Sequence, residues 1–271
     1  MIQFKNDHCC VFESALFKTT STVIWTGDLV LVVDPNWLPS EITEIRQFVD
    51  SIKGDKPVFL LFTHSDYDHI IGYGAFPEAR VIASVAFAKN QNKDEVLEQI
   101  DQFDQEYYID RLYPIVYPQV DEAIKRTGQT LTIGRTNLVF YLAPGHNPDG
   151  LFTIVEPLDI WITGDYLSNV EFPYIYHSFQ AYVHTLDRAR GILDQHQPAL
   201  LVPGHGRVTG SRAEMEKRLA ESRLYLTALK KSVLEDQEFP EETLWQRYNY
   251  PKGMSAFHEK NLALARKELI A

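Results

Sequence analysis

The strongest constraint on the fold of this chain is a set of short apolar runs, each stopping at a polar or glycine-containing turn. Val58 to Phe62, entered from Lys56-Pro57, is continuous in apolar side chains and fits a buried strand. Runs at Val81 to Val85, Leu138 to Leu142, Leu151 to Val155, Ile160 to Ile162 and Leu200 to Val202 are further strand candidates. Near the start, Val23 to Trp25, the Gly27-Asp28 turn and Leu29 to Val33 read as a hairpin. Helical patterns lie between these runs. From Ser40, with the serine as N-cap and Gly54 past the end, Ile42, Ile45, Phe48, Val49 and Ile52 share a face. Lys93 to Leu112 carries Val96, Ile100, Phe103 and Tyr107 at three-to-four spacing and predicts a surface helix. Ser211 and Glu214 form a capping-box pair ahead of Met215, Leu219, Leu226, Leu229 and Val233, and a last helix is expected at about Ser255 to Ile270. Interspersed strands and helices define an α/β protein. We expect one domain over residues 1–271, with a helical tail from about residue 211.

Composition narrows the function. Hydrophobic residues make up 45% and charged residues 23%, the profile of a soluble globular chain. The formal charge of −11, with no concentrated basic patch, opposes a phosphate backbone, so no nucleic-acid partner is expected. The opening MIQFKNDHCCVFES lacks a basic segment followed by an apolar one, and VFLLF and LVLVV are too short to span a bilayer. A cytoplasmic location and no membrane partner are therefore expected. Cys9 and Cys10 are neighbours whose side chains point to opposite faces of a strand, which argues for small buried hydrophobes rather than a disulfide framework, with a redox role as the alternative. Tyr108, Tyr113 and Tyr117 either pack on the sheet or line a pocket. Lys217, Arg218, Lys230 and Lys231, with Glu216 and Glu221, read as a solvated face.

Four loops carry the chemistry. Thr63-His64-Ser65-Asp66-Tyr67-Asp68-His69 places four metal-ligand types directly after the Val58 to Phe62 run. Alone, H-x-D-x-D-H is as compatible with a charged surface loop. Repetition decides: later runs end in Ala143-Pro144-Gly145-His146, in Thr163-Gly164-Asp165 and in Pro203-Gly204-His205-Gly206. Each delivers one ligand type, with glycine beside it to let the backbone approach. His8, His177, His184, His196 and His258 fall outside this pattern and are expected on the surface or in the core, His177 being the one placed to form a pocket wall.

These motifs resemble the metallo-β-lactamase superfamily, whose pattern is H-x-H-x-D-H, then Gly-His, Gly-Asp and Gly-His, over roughly residues 20 to 210. The resemblance implies an αββα sandwich with the site at one edge between its sheets. It also implies two divalent metal ions: a first site at His64, Asp66 and His146, a second at Asp68, His69 and His205, and Asp165 bridging both. Asp34 resembles the aspartate that orients a ligand histidine. Asp66 departs from the family, standing where most members have a second histidine, and this harder ligand favours iron or manganese more than three neutral imidazoles would, which leaves the metal open among zinc, iron and manganese. The implied activity is hydrolysis of a small ester, thioester, lactone, β-lactam or phosphodiester by a metal-activated hydroxide, with Asp68 also handling a proton. Alternatives are oxygen chemistry at one iron held by His64, His146 and Asp165, as in the persulfide dioxygenases, and a non-catalytic module that keeps its metal for structure. The glutathione-thioester hydrolases of the family bring basic residues of a helical tail to the site, so that substrate stays open. Substrate, metal and oligomeric state do not follow from the sequence.

Overall fold

The computed structural model describes residues 1–271 other than 241, 243, 245, 249 and 271. Two sheets face each other. The first has seven strands in sequence order: β1 (Ile2–Lys5), β2 (Cys9–Glu13), β3 (Thr20–Trp25), β4 (Val30–Val33), β5 (Val58–Leu61), β6 (Arg80–Ser84) and β7 (Glu122–Ile124). Pairing is antiparallel from β1 to β4 and parallel from β4 to β7. The second sheet holds β8 (Gln129–Ile133), β9 (Thr136–Leu142), β10 (Leu151–Glu156), β11 (Ile160–Ile162) and β12 (Leu200–Val202), in the order 12-11-10-9-8. Its one parallel pair is β11 with β12.

Strand alternation builds the layers. Phe59 and Leu61 of β5 and Leu138 and Phe140 of β9 meet in the core between the sheets, whereas Val58 and Leu60 turn outward. That outer face is covered by α1 (Pro39–Lys53) through Ile42, Ile45 and Val49, with Trp37, Phe87 and Ile100 completing the layer. The second sheet is covered by α5 (Phe179–His196), α6 (Arg212–Glu235) and α7 (Pro251–Ile270), packed on Tyr141, Phe152, Ile154 and Trp161. The apolar runs are continuous because both faces of their strands are buried. The result is the αββα sandwich. Short helices α2 (Tyr67–Ile70) and α3 (Val85–Ala88), with α4 (Lys93–Tyr107), complete the first half. Among the described residues no helix is long and apolar enough to cross a membrane.

Several boundaries differ from the sequence reading. Helix α1 is capped at Leu38 rather than Ser40: Pro39 opens it, and Glu41 reaches back to accept from the Leu38 amide at 2.9 Å. The same carboxylate accepts from Ser14 at 2.9 Å and the Ala15 amide at 3.1 Å, tying the β2–β3 connection to the helix. Helix α4 stops at Tyr107, because Tyr108 adopts a left-handed conformation. Tyr108 is 94% exposed, while Tyr113 and Tyr117 pack against the first-sheet core. Arg218 is not solvated; it is buried, pairs with Glu214 at 3.0 Å and donates to the Arg207 carbonyl at 2.7 Å.

Cys9 belongs to the inter-sheet core and Cys10 to the helix-covered face, so the two cannot join. Burial pushes the Cys9 thiol up to about 12, with Cys10 adding to it, and burial pushes Cys10 up to about 11. The folded protein at pH 8 is therefore expected to leave both thiols unlabelled by a thiolate-specific reagent, while chain unfolded in guanidinium reacts at both. Rapid labelling of the native chain would contradict this packing.

Candidate metal centre

The segments that carry the candidate ligands follow the carboxyl ends of β5, β9, β11 and β12. After β5 the chain bends at Thr63, runs without regular structure to an extended Asp66, and then makes the single helical turn of α2. That turn separates the cluster into two parts. His64 and Asp66 join His146 and Asp165 in one group, and Asp68 and His69 join His205 in another; within each group the donor atoms lie within 4.8 Å of one another.

In the first group, His146 Nε2 stands 3.2 Å from Asp66 Oδ2 and 3.3 Å from Asp165 Oδ2, and His64 Nε2 lies 3.5 and 3.7 Å from the same two oxygens. In the second, Asp68 Oδ2 lies 3.5 Å from His205 Nε2 and 3.7 Å from His69 Nε2. Asp165 faces both groups, with Oδ1 3.1 Å from His69 Nε2 and Oδ2 3.3 Å from His205 Nε2. Ligands about 2.1 Å from a tetrahedral ion are separated by about 3.4 Å, so this spacing fits donors arranged around a cation. His64 Nε2, His69 Nε2 and Asp165 Oδ1 are buried without a hydrogen-bond partner, as ligand atoms awaiting an ion are.

The other ring nitrogens explain why all four Nε2 atoms turn inward. His146 Nδ1 donates to the Tyr174 carbonyl and His205 Nδ1 to the Phe17 carbonyl, each at 2.9 Å. Because a carbonyl only accepts, these bonds place the proton on Nδ1 and leave the Nε2 lone pair for a metal ion. Asp34 fixes the other two. Its Oδ2 lies 2.9 Å from His69 Nδ1 and accepts from the Thr63 hydroxyl at 2.6 Å, while Oδ1 accepts from the Thr63 amide at 2.9 Å. With its proton spent on Asp34, the Thr63 oxygen accepts from His64 Nδ1 at 3.0 Å.

Charges in the cluster are mutually balanced. Burial opposes ionisation of Asp165, yet His205, His69 and His64 hold its carboxyl well below the usual range. Burial likewise opposes the charged form of Asp66, but His146 and His64 hold it below the ordinary carboxylate value. Burial disfavours protonated His205, and Asp165 and Glu171 overcome this, raising it to about 10. A cation would take over the role of these protons, so metal affinity should fall as pH falls.

Glycine is obligatory at one contact. A Cβ on Gly204 would lie 2.3 Å from Asp165 Oδ1 and 3.0 Å from His69 Cε1. Gly204→Ala should therefore weaken metal binding by about tenfold, read by chelator competition, with the fold retained by circular dichroism. Wild-type affinity in that variant would show that the two ligands yield freely.

Beside the groups opens a cavity of about 620 Å³, lined by Asp66, Asp68, Asp165 and His205 and by Phe17, Tyr67, Tyr174, Tyr176, Met254 and Phe257 among others. His177 is exposed and Tyr174 and Tyr176 supply the wall instead, the Tyr176 ring 4.9 Å from that of His146. His8 and His184 are exposed, His196 bonds Tyr141, and His258 is buried beside Tyr225. Sequence reasoning missed Asn147, which donates to Asp66 Oδ1, and Glu171, whose carboxyl burial pushes up to about 7 against the pull of His205. Asn147 could have been suspected from its place next to His146; Glu171 carries no such signal.

A fold and a two-group His/Asp cluster of this kind define a metallo-hydrolase scaffold. The chain belongs to the metallo-beta-lactamase superfamily, whose family model matches residues 15–205. It is 29% identical over 142 residues to the "Probable metallo-hydrolase YqgX" of Bacillus subtilis (strain 168), a match covering 52% of this chain and 63% of that protein, so the chain spans less than two thirds of this relative. Solved structures share the fold at low identity. A motif-mutant metallo-beta-lactamase from Cronobacter sakazakii aligns with a TM-score of 0.62 at 19% identity, covering 88% of this chain and 99% of that one. A metallo-beta-lactamase family protein from Thermus thermophilus aligns with a TM-score of 0.62 at 17% identity, covering 85% and 83%.

Proposed function

We propose that this chain is a dinuclear metal-dependent hydrolase acting on a small ester, thioester, lactone, β-lactam or phosphodiester, and that residues 1–271 work as one domain. The observation that carries this reading is the inward aim of four imidazole Nε2 atoms around three aspartates, each Nδ1 being held from behind. His64, Asp66 and His146 would hold one divalent ion, Asp68, His69 and His205 the other, and Asp165 would bridge them. Bound ions of zinc, iron or manganese would supply an acidified water and Lewis-acid polarisation of a carbonyl or phosphoryl oxygen.

The protein's own groups do the rest. Asp68 lines the cavity, which supports its taking a proton during turnover as well as ligating. Asn147 fixes Asp66 for coordination by donating to its Oδ1. Aromatic walls exclude water and hold the apolar part of a substrate. Among the described residues the tail contributes Tyr250, Gly253, Met254 and Phe257 to the cavity and no lysine or arginine, which speaks against a tail-clamped glutathione thioester. Two carboxylates in the first group make its ligand set harder than a three-histidine one, favouring iron or manganese.

The test is metal analysis of the purified protein, followed by assay of a chromogenic ester, lactone, thioester, phosphodiester and β-lactam panel with zinc, iron and manganese compared. Activity that disappears on stripping the metal and returns on adding it back supports the reading. Stoichiometric oxygen uptake with a thiol persulfide would replace it with the oxygenase. Tightly bound metal with no turnover on the panel would favour a binding module.

A further inference from the structure

Glu171 also lines the cavity, yet it belongs to neither ligand group. Its side chain is 16% exposed. The one imidazole or cation within reach among the described residues is His205, whose Nδ1 lies 3.9 Å away, beyond hydrogen-bond distance. That nitrogen already donates to the Phe17 carbonyl at 2.9 Å. Lys18, the lysine on the cavity wall, is tied to Glu13 at 3.0 Å. Glu171 thus shares the cavity wall with Tyr174, Met254 and Phe257, and no described residue donates a hydrogen bond to its carboxylate. A molecule that enters the cavity and displaces water from this carboxylate meets an acceptor with no described protein donor to compete, and a hydrogen bond to a charged acceptor is stronger than one to a neutral group.

We propose that Glu171 is a specificity-determining residue that accepts a hydrogen bond from the substrate. The substrate class is then a small hydrolysable compound with two features: an apolar or aromatic group for the walls, and a hydroxyl or amine donor a few bonds from the scissile centre. The second feature follows from the position of Glu171 beside His205. The inference rests on the hydrolase reading only in taking this cavity as the substrate's.

The test compares 3-phenyllactate with its O-methyl ether as ligands of the metal-loaded protein by titration calorimetry, in the wild type, Glu171→Leu and Glu171→Gln. The wild type should bind the hydroxy acid about fivefold more tightly than the ether, the scale of one hydrogen bond. Glu171→Leu should bring the ratio to unity with metal content unchanged. Glu171→Gln, which keeps a weaker carbonyl acceptor, should lower the ratio without erasing it, and carries the test alone if the leucine variant does not fold. A wild type that binds both acids alike or neither, or a ratio unchanged in the variants, overturns the proposal. The 4-nitrophenyl esters of both acids separate the two readings. Ester hydrolysis without the preference sinks the role of Glu171 alone, and the preference without hydrolysis sinks the hydrolase alone.

Discussion

Alanine at both His69 and His205 is expected to halve the metal content from two ions per chain to one and to lower metal-dependent turnover on the order of 10³-fold or more, the scale on which loss of a catalytic unit acts. The two imidazoles are the neutral donors of the second group, and without them Asp68 and the shared Asp165 are all that face that position. Two hard oxygens without an imidazole hold a transition-metal ion poorly. Metal analysis and kinetics on the same preparations decide the matter. A double variant with full activity would overturn the dinuclear proposal, and one that keeps two ions but loses activity would move these histidines from ligation to another role.

Asp34→Ala should weaken metal binding by about 10- to 100-fold although Asp34 lies outside both ligand groups. The physical reason is its position at the hub of a buried chain. The side chain is almost wholly inaccessible and accepts from the Thr63 amide, the Thr63 hydroxyl and His69 Nδ1. Its removal frees His69 to rotate and lets the Thr63 hydroxyl turn elsewhere, so that His64 loses its anchor too. Each buried donor left without an acceptor also costs about 1–3 kcal/mol of stability. Competition against a chelator and thermal unfolding read the two effects separately. Asp34→Asn retains one acceptor and should fall between; wild-type metal affinity in Asp34→Ala would refute the orienting role.

Much of this was legible in the sequence because the physics was local. Ile42, Ile45 and Val49, and Met215, Leu219, Leu226, Leu229 and Val233, lie on the buried faces their spacing predicted. Helix α5 went unread although Phe179, Tyr182, Leu186, Ala189 and Leu193 recur at helical spacing, since the aromatic segment ahead of it reads as a pocket wall. Strands β7 and β8 went unread because they are short or polar edge strands, Glu122 to Ile124 and Gln129 to Ile133, with only partial burial to leave an apolar signature. At the site, strand ends and glycines marked the His and Asp positions that the fold brings together. Of the supporting groups, Asp34 was read in advance, whereas the two carbonyls and Glu171 were hidden for two reasons. Every residue has a carbonyl, so nothing marks those of Phe17 and Tyr174, and Glu171 is one of 37 acidic residues until the cavity surrounds it.

Phe17 and Tyr174 each present two different surfaces to the site. The carbonyl of each aligns a histidine, and the ring of each forms cavity wall. Main-chain atoms survive any substitution that keeps the local backbone, so the shape of the cavity is free to change at these positions while the alignment of His146 and His205 persists. If the chain is the hydrolase proposed above, substrate choice and metal retention are expected to be separable traits. A library that varies residues 17 and 174 samples new specificities on an intact metal centre, a route by which one scaffold diversifies without passing through inactive intermediates.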